Sequence, residues 1–281
     1  KSPTSDNLDE NSLDMILKKI KKLRHFISSQ FFEFSTLKHL KSRGQMASLI
    51  AEAYSKAKYH KHAPNDVKIL TQLASYREEL RRDNQTVSFQ EVGSSQSLTV
   101  AEIAKRAASP AVWASFFYEL AQDEKMINVL EIGTNLGMSG QYFIKGLSGK
   151  PNSRFTTIEG VKKLCEIASN RFLKISSPSK FEVRHGLYDE QLTEIVKTSV
   201  KYNLVFIDGN HQYDATIKYF KILKNNFKEN AIVIFDDIHW SHGMARAWEE
   251  ITDQGGIVLS IDFFKLGIIV LDSNKPPKSA E

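Results

Sequence analysis

The sequence predicts an α/β fold: a mostly parallel sheet covered by helices on both faces, finished by one reversed strand and preceded by a helical amino-terminal cap. Three observations predict it. From Met126 onward, apolar strand-like runs alternate with helical stretches, the pattern of a parallel sheet. The stretch Asn128-Val-Leu-Glu-Ile-Gly-Thr-Asn-Leu-Gly-Met-Ser139 reads as a buried strand, a glycine turn and the start of a helix. The last two strands are separated by too few residues for a parallel crossover, so they pair antiparallel.

Residues 1–10 are polar, as chain ends often are. Leu13, Ile16, Leu17, Ile20, Leu23 and Ile27 follow helical spacing and predict a helix over Ser12–Phe32. Further helices are expected over Gln45–Lys58, Asn65–Asp83, Thr99–Ala107 and Pro110–Gln122. No convincing strand is visible in this first third. The cap is assigned to 1–98 and the sheet domain to 99–281. The cap either packs on the sheet or forms a lid or dimerisation element over the pocket. Strands are expected near 128–132, 154–158, 181–184, 203–207, 231–235, 256–261 and 266–271. The tail from Asp272 contains Pro276-Pro277 and reads as frayed.

The 281 residues suggest one or two domains, and 25% charged with 41% apolar residues is ordinary for a globular protein. The net charge of +5 is mild. Its surplus lies in Lys18-Lys-Ile-Lys-Lys-Leu-Arg24, either one solvated helix face or a patch for an acidic partner. No basic stripe interleaved with aromatics points to nucleic acid. No apolar run approaches the ~18 residues a membrane span requires, and no signal peptide is visible. Cys165 is the only cysteine, which excludes an internal disulfide and suits a reducing, cytoplasmic compartment. It reads as a small core residue. The chain begins at Lys1 and not Met, as a trimmed chain or a piece of a longer polypeptide would.

The chemistry concentrates at the strand ends. Gly133 and Gly137 permit a tight turn and a close approach of backbone to ligand. The turn leads into Ser139, so backbone N–H groups face whatever lies over the sheet. The second strand, Phe155-Thr-Thr-Ile-Glu159, ends in an acid placed to hold a ribose diol. A dinucleotide oxidoreductase shares this topology but calls for G-x-G-x-x-G, whereas the glycines here fall as G-x-x-x-G. The fourth strand ends in Asp208 and continues Gly-Asn-His211. The fifth ends in Asp236-Asp237 and continues Ile-His239-Trp240. Three carboxylates on one rim repel each other unless a cation intervenes. Hard oxygen ligands favour Mg²⁺, Mn²⁺ or Ca²⁺. Asp208 alone, however, is often a structural strand-end acid, and Asp236 or Asp237 can instead cap a helix.

Glu131-Ile-Gly-Thr-Asn-Leu-Gly137 and Thr157-Ile-Glu159 resemble motifs of the class I S-adenosylmethionine (SAM) dependent methyltransferases. The resemblance covers about 92–270. It implies a Rossmann-like, seven-stranded, mostly parallel sheet with one antiparallel strand. It also implies SAM contacts from Glu131, Gly133, Thr134, Asn135, Gly137, Ser139, Glu159, Gly160 and Asp208. Gly186 and Leu187, in His185-Gly-Leu-Tyr-Asp189, fall where the family places adenine contacts, and Val92-Gly93 resembles the segment that closes over the methionine end.

The rim resembles that of the metal-dependent O-methyltransferases, both the catechol and the macrocin groups. That likeness implies a divalent metal, Mg or Mn, on Asp208, Asp236 and Asp237. His211 stands where the macrocin group carries its base and the catechol group a Lys. An imidazole is suited to taking a hydroxyl proton near neutral pH. His239 and Trp240 are candidate acceptor contacts, with His242 beside them. His239 and His242 read first as loop hydrogen-bonders, and Trp240 either walls the pocket or packs under the loop.

The expected activity is O-methylation of a small hydroxylated acceptor of sugar, vicinal-diol or catechol type, as in natural product biosynthesis. The acceptor is free or carrier-tethered, with no nucleic acid or membrane partner and a homodimer as one possible assembly. A metal-independent enzyme using His211 with an acidic partner, or a non-catalytic SAM-binding module, are the competing readings.

Overall fold

The computed structural model describes residues 33, 35–106 and 110–272. The helix expected over Ser12–Phe32, the basic run within it and the Pro276-Pro277 tail lie outside the described residues. The chain divides into two compact units, Lys1–Ala51 and Glu52–Glu281. Residues 52–98, assigned to the cap from sequence, therefore fold in the same unit as the sheet.

Helix α1, Gln45–Lys58, spans the range its apolar spacing predicts, and α2 covers Pro64–Leu80 with proline in its first turn. A short antiparallel hairpin follows, β1 Thr86–Ser88 against β2 Ser97–Thr99. It corrects the expectation that the first third holds no strand: three residues are too few for an alternating pattern to show. Helices α3, Val100–Arg106, and α4, Ala111–Gln122, then lead into the sheet.

The main sheet is built from β3 Asn128–Ile132, β4 Arg154–Glu159, β5 Phe181–His185, β6 Tyr202–Ile207, β7 Phe227–Asp236, β8 Ile257–Asp262 and β9 Leu266–Leu271. Its order is β5-β4-β3-β6-β7-β9-β8, parallel except for β9, which runs antiparallel to both neighbours. Helices α5 Gly140–Gly146, α6 Lys162–Ile175, α7 Tyr188–Val196, α8 Tyr213–Leu223 and α9 His242–Thr252 supply the connections. The central strands are buried on both faces and therefore read as continuous apolar runs, while edge strand β8 alternates. β7 begins earlier than its apolar core suggests, because exposed Lys228, Glu229 and Asn230 precede Ala231. Asn230 takes a left-handed φ of 58°.

The chain order reverses between β3 and β6. Such a switch point opens a crevice at the carboxyl ends of the strands, where ligands of open α/β sheets bind. Helix α9 illustrates how each layer attaches. Ser241 caps its first turn, accepting from Met244 N at 3.1 Å, and Met244, Ala247, Trp248 and Ile251 form the buried stripe.

Candidate functional site

The glycine turn after β3 is held from three sides. Gly133 N and Thr134 N donate to Ile158 O at 3.0 and 3.1 Å, tying the turn to β4. Tyr76 of α2 donates its hydroxyl to Leu136 O at 2.9 Å. Glu159 Oε2 accepts from Asn135 N at 2.8 Å. Gly133 has φ +104°, and a Cβ there would lie 2.2 Å from Asp208 O, so only glycine lets the β3 turn pass the end of β6. Gly137, at φ +75°, closes against Phe172 and Ala168 of α6.

Glu131 is fully buried behind this turn. It accepts from Ser139 Oγ at 2.5 Å and Thr157 Oγ1 at 2.7 Å. Burial pushes its carboxyl up to about 8, more than these hydrogen bonds pull it down. Glu159 is also raised by burial, opposed by the N–H groups of Asn135, Val161 and Gly160.

The turn opens onto a cleft of ≈ 290 Å³, near the lower end of small-molecule sites at about 300–1,000 Å³. Of the residues expected to hold SAM, Gly133, Thr134, Asn135, Ser139, Glu159 and Asp208 line it. Glu131, Gly137 and Gly160 stand behind the lining, and Gly160 gives room to Val92, whose Cγ1 would meet an added Cβ at 2.5 Å. Gly186, at φ +145°, backs onto Gln191. Leu187 is exposed, and it is Tyr188, the first residue of α7, that enters the cleft. Gly209 admits the Tyr188 ring: a Cβ there would meet it at 2.6 Å.

His211 lines the same cleft, its Nε2 3.6 Å from Asp208 Oδ1. Burial, then the neighbouring Asp236, raises the Asp208 carboxyl well above the usual carboxylate range. β7 ends at Asp236, and Asp237 takes a left-handed φ of 52°, so both side chains reach the cleft although they are adjacent in sequence.

The third participant was not visible in the sequence. Lys265 Nζ lies 3.0 Å from Asp236 Oδ1, 3.1 Å from its Oδ2 and 2.6 Å from Asp237 Oδ1. Its place follows from register: β9 runs back along β7 with Asp236 opposite Leu266, which sets Lys265 just past the pair. Burial lowers the Lys265 pKa, but the bonds to Asp237 and Asp236 outweigh it and the net shift is upward.

The rim differs from the expected metal cage. A Mg²⁺ ion sits about 2.0–2.1 Å from its oxygens and needs the lone pairs that Lys265 now engages. Among the described residues no group of three or more His, Cys, Asp or Glu side chains converges as an ion would require. The residues as arranged already carry one neutralising cation, the ammonium of Lys265 against Asp236 and Asp237. They fit SAM better: a glycine turn at a helix start and an acid at the end of β4 suit its methionine and ribose parts.

His239 and Trp240 do not line the cleft. His239 Nε2 pairs with Asp262 Oδ2 at 2.8 Å and stacks on Phe264, while Trp240 is 74% exposed on the same loop. Cys165 is buried and donates to Glu159 O at 3.6 Å, a core position. No helix among the described residues is long and apolar enough to cross a membrane.

Residues 130–238 match the family described as a methyltransferase domain. No curated protein matches the sequence. Solved structures share the fold. An O-methyltransferase from Bacillus cereus, in complex with S-adenosylhomocysteine (SAH), is 23% identical with a TM-score of 0.52, over 62% of this chain and 86% of that one. The O-methyltransferase TomG from Streptomyces achromogenes, involved in tomaymycin synthesis and in complex with SAM, is 20% identical with a TM-score of 0.50, over 59% and 82%. An SAH-bound methyltransferase from Podospora anserina is 16% identical with a TM-score of 0.52, over 75% and 99%. The sheet thus has the Rossmann-like methyltransferase fold, and the segment 130–238 is similar to a methyltransferase domain.

Proposed function

We propose that this methyltransferase-domain chain is a SAM-dependent O-methyltransferase acting on a hydroxyl of a small acceptor. The observation that carries the reading is the single cleft in which the glycine turn and Glu159 face His211. Glu159 presents carboxylate lone pairs to a ribose diol, and Gly133, Thr134, Asn135 and Ser139 surround the amino-acid part. SAM supplies an electrophilic methyl group on a sulfonium.

His211 takes the acceptor's proton at a ring nitrogen as the oxygen attacks. With SAM bound, the O–C bond would form as the C–S bond breaks, and the sulfur would leave as a neutral thioether. Asp208, 3.6 Å from the ring, supports the imidazolium that results. Such base assistance typically contributes ~10²–10⁴-fold. The acceptor we assign is a sugar, vicinal diol or catechol, free or carrier-tethered, of the kind natural product pathways supply. The polar rim of Asp208, Asp236, Asp237 and Lys265 supports an acceptor with more than one oxygen.

A metal-assisted reading is favoured by one detail. Asp236 Oδ1 is buried without an aligned hydrogen-bond donor, as an ion ligand would be. Against it stands Lys265, whose ammonium already neutralises the same carboxylate.

The test is transfer of labelled methyl from SAM to a panel of sugars, diols and catechols. The reading expects a methyl ether from at least one class and its loss in His211→Ala. Silence across the panel with tight SAM binding would support a binding module instead.

A further inference from the structure

Three carboxylates crowd the rim beyond β6 and β7, and the sequence offers a divalent ion as their neutraliser. The fold offers another. Lys265 reaches them from the turn between β8 and β9, and that turn is fixed. Phe263 stacks on Tyr54 at 4.5 Å between ring centres and packs against Trp113 at 5.7 Å. Asp262 Oδ1 accepts from Phe264 N at 2.6 Å, and Phe264 takes a left-handed φ of 67°. The β7–β9 register then leaves Lys265 facing Asp236 and Asp237. A point charge on a flexible stem, held at both ends, does what an ion would do there.

We propose that Lys265 is the resident cation of this site, a positioning residue whose ammonium takes the place of a divalent metal. Resting on the methyl-transfer reading, this makes the enzyme a metal-independent one. Lys265 holds Asp236 and Asp237 in place, offsets their charge beside Asp208, and leaves His211 to handle the proton. Lys265 also lines the cleft, so its charge would favour an acceptor oxygen as negative charge develops there. A divalent ion entering the rim would have to displace an ammonium that already engages both carboxylates.

The experiment uses the whole chain and needs no acceptor. Mn²⁺ is titrated into wild-type protein and followed by electron paramagnetic resonance. Thermal midpoints are measured for Lys265→Met, Lys265→Arg, Asp236→Asn and the Lys265→Met/Asp236→Asn double variant. The proposal expects no stoichiometric Mn²⁺ site in the wild type. It expects Lys265→Met to lower the midpoint by several degrees, Lys265→Arg to recover most of that loss, and the double variant to lose less than the two single losses added. One Mn²⁺ bound per chain and lost in Asp236→Asn, or strictly additive losses, would overturn it. Where an acceptor is in hand, turnover should survive EDTA treatment, and EDTA-sensitive turnover restored by Mg²⁺ would also overturn it. Calorimetric titration of SAM separates the two levels: a chain that fails to bind SAM sinks the methyl-transfer reading, while the Mn²⁺ and midpoint results still decide the role of Lys265.

Discussion

Gly133→Ala tests whether the turn after β3 is built as described. Two costs combine. At φ +104° an L-residue is strained by about 1–2 kcal/mol. The new methyl carbon would also sit 2.2 Å from Asp208 O and 2.9 Å from Asp208 C. Both atoms are backbone rather than pliable side-chain ends, and Asp208 N, just past the end of β6, is bonded to Ile132 O at 2.9 Å. Overpacking of this kind costs about 1–3 kcal/mol. The sum, about 2–5 kcal/mol, is a large share of the 5–15 kcal/mol that holds most domains together. Gly149→Ala is the control: φ is +83°, but nothing lies within 4 Å of the added carbon, so only the strain applies. Differential scanning calorimetry should place Gly133→Ala on the order of 10 °C below wild type and clearly below Gly149→Ala. SAM binding should fall with it, because relieving the clash moves Asp208. Equal midpoints for the two variants, with normal SAM affinity in Gly133→Ala, would refute the close approach of β3 to β6.

His211→Ala should lower turnover by ~10²–10⁴-fold while SAM affinity by calorimetry stays within a few-fold of wild type. Glu159→Ala should weaken SAM or SAH by about 10- to 100-fold, the loss expected when an acceptor carboxylate is removed from hydroxyl donors. Glu131 gives a pH signature. Its folded value of about 8 lies above the ordinary 4.5, so the folded state binds the extra proton and stability falls as pH rises between those values. The slope reaches at most about 1.4 kcal/mol per pH unit. Asp208 is shifted in the same direction, so the measurement is the difference between wild type and Glu131→Gln in denaturant unfolding from pH 5 to 8. That difference should shrink or reverse as pH rises, and parallel curves would contradict the assignment.

The sheet was legible because its strands are buried on both faces and read as apolar runs. β3, Asn128–Ile132, and β9, Leu266–Leu271, have the bounds expected from their patterns. The hairpin Thr86–Ser88 with Ser97–Thr99 was not, since three residues a side are too few to set a pattern apart from its surroundings. In the site, glycines and strand-end acids announce themselves by local chemistry. Tyr188 was missed in favour of Leu187, because which of two neighbours turns inward depends on where α7 begins. Lys265 was missed for a deeper reason. Its partners are 28 and 29 positions away, joined only through the β7–β9 pairing. Locally it is one lysine in a turn. The signal that would have found it is the inference, available from the short connection, that β9 folds back on β7 and returns its first residues to Asp236 and Asp237. The Tyr76 bond to Leu136 is equally long-range and left no local mark.

Isothermal titration of SAM into the purified chain addresses the account most directly. Single-site binding that disappears or weakens by at least about tenfold in Glu159→Ala is the predicted result. Absence of heat with the wild type, or affinity indifferent to Glu159, would mean that the crevice beside His211 does not serve the methyl donor.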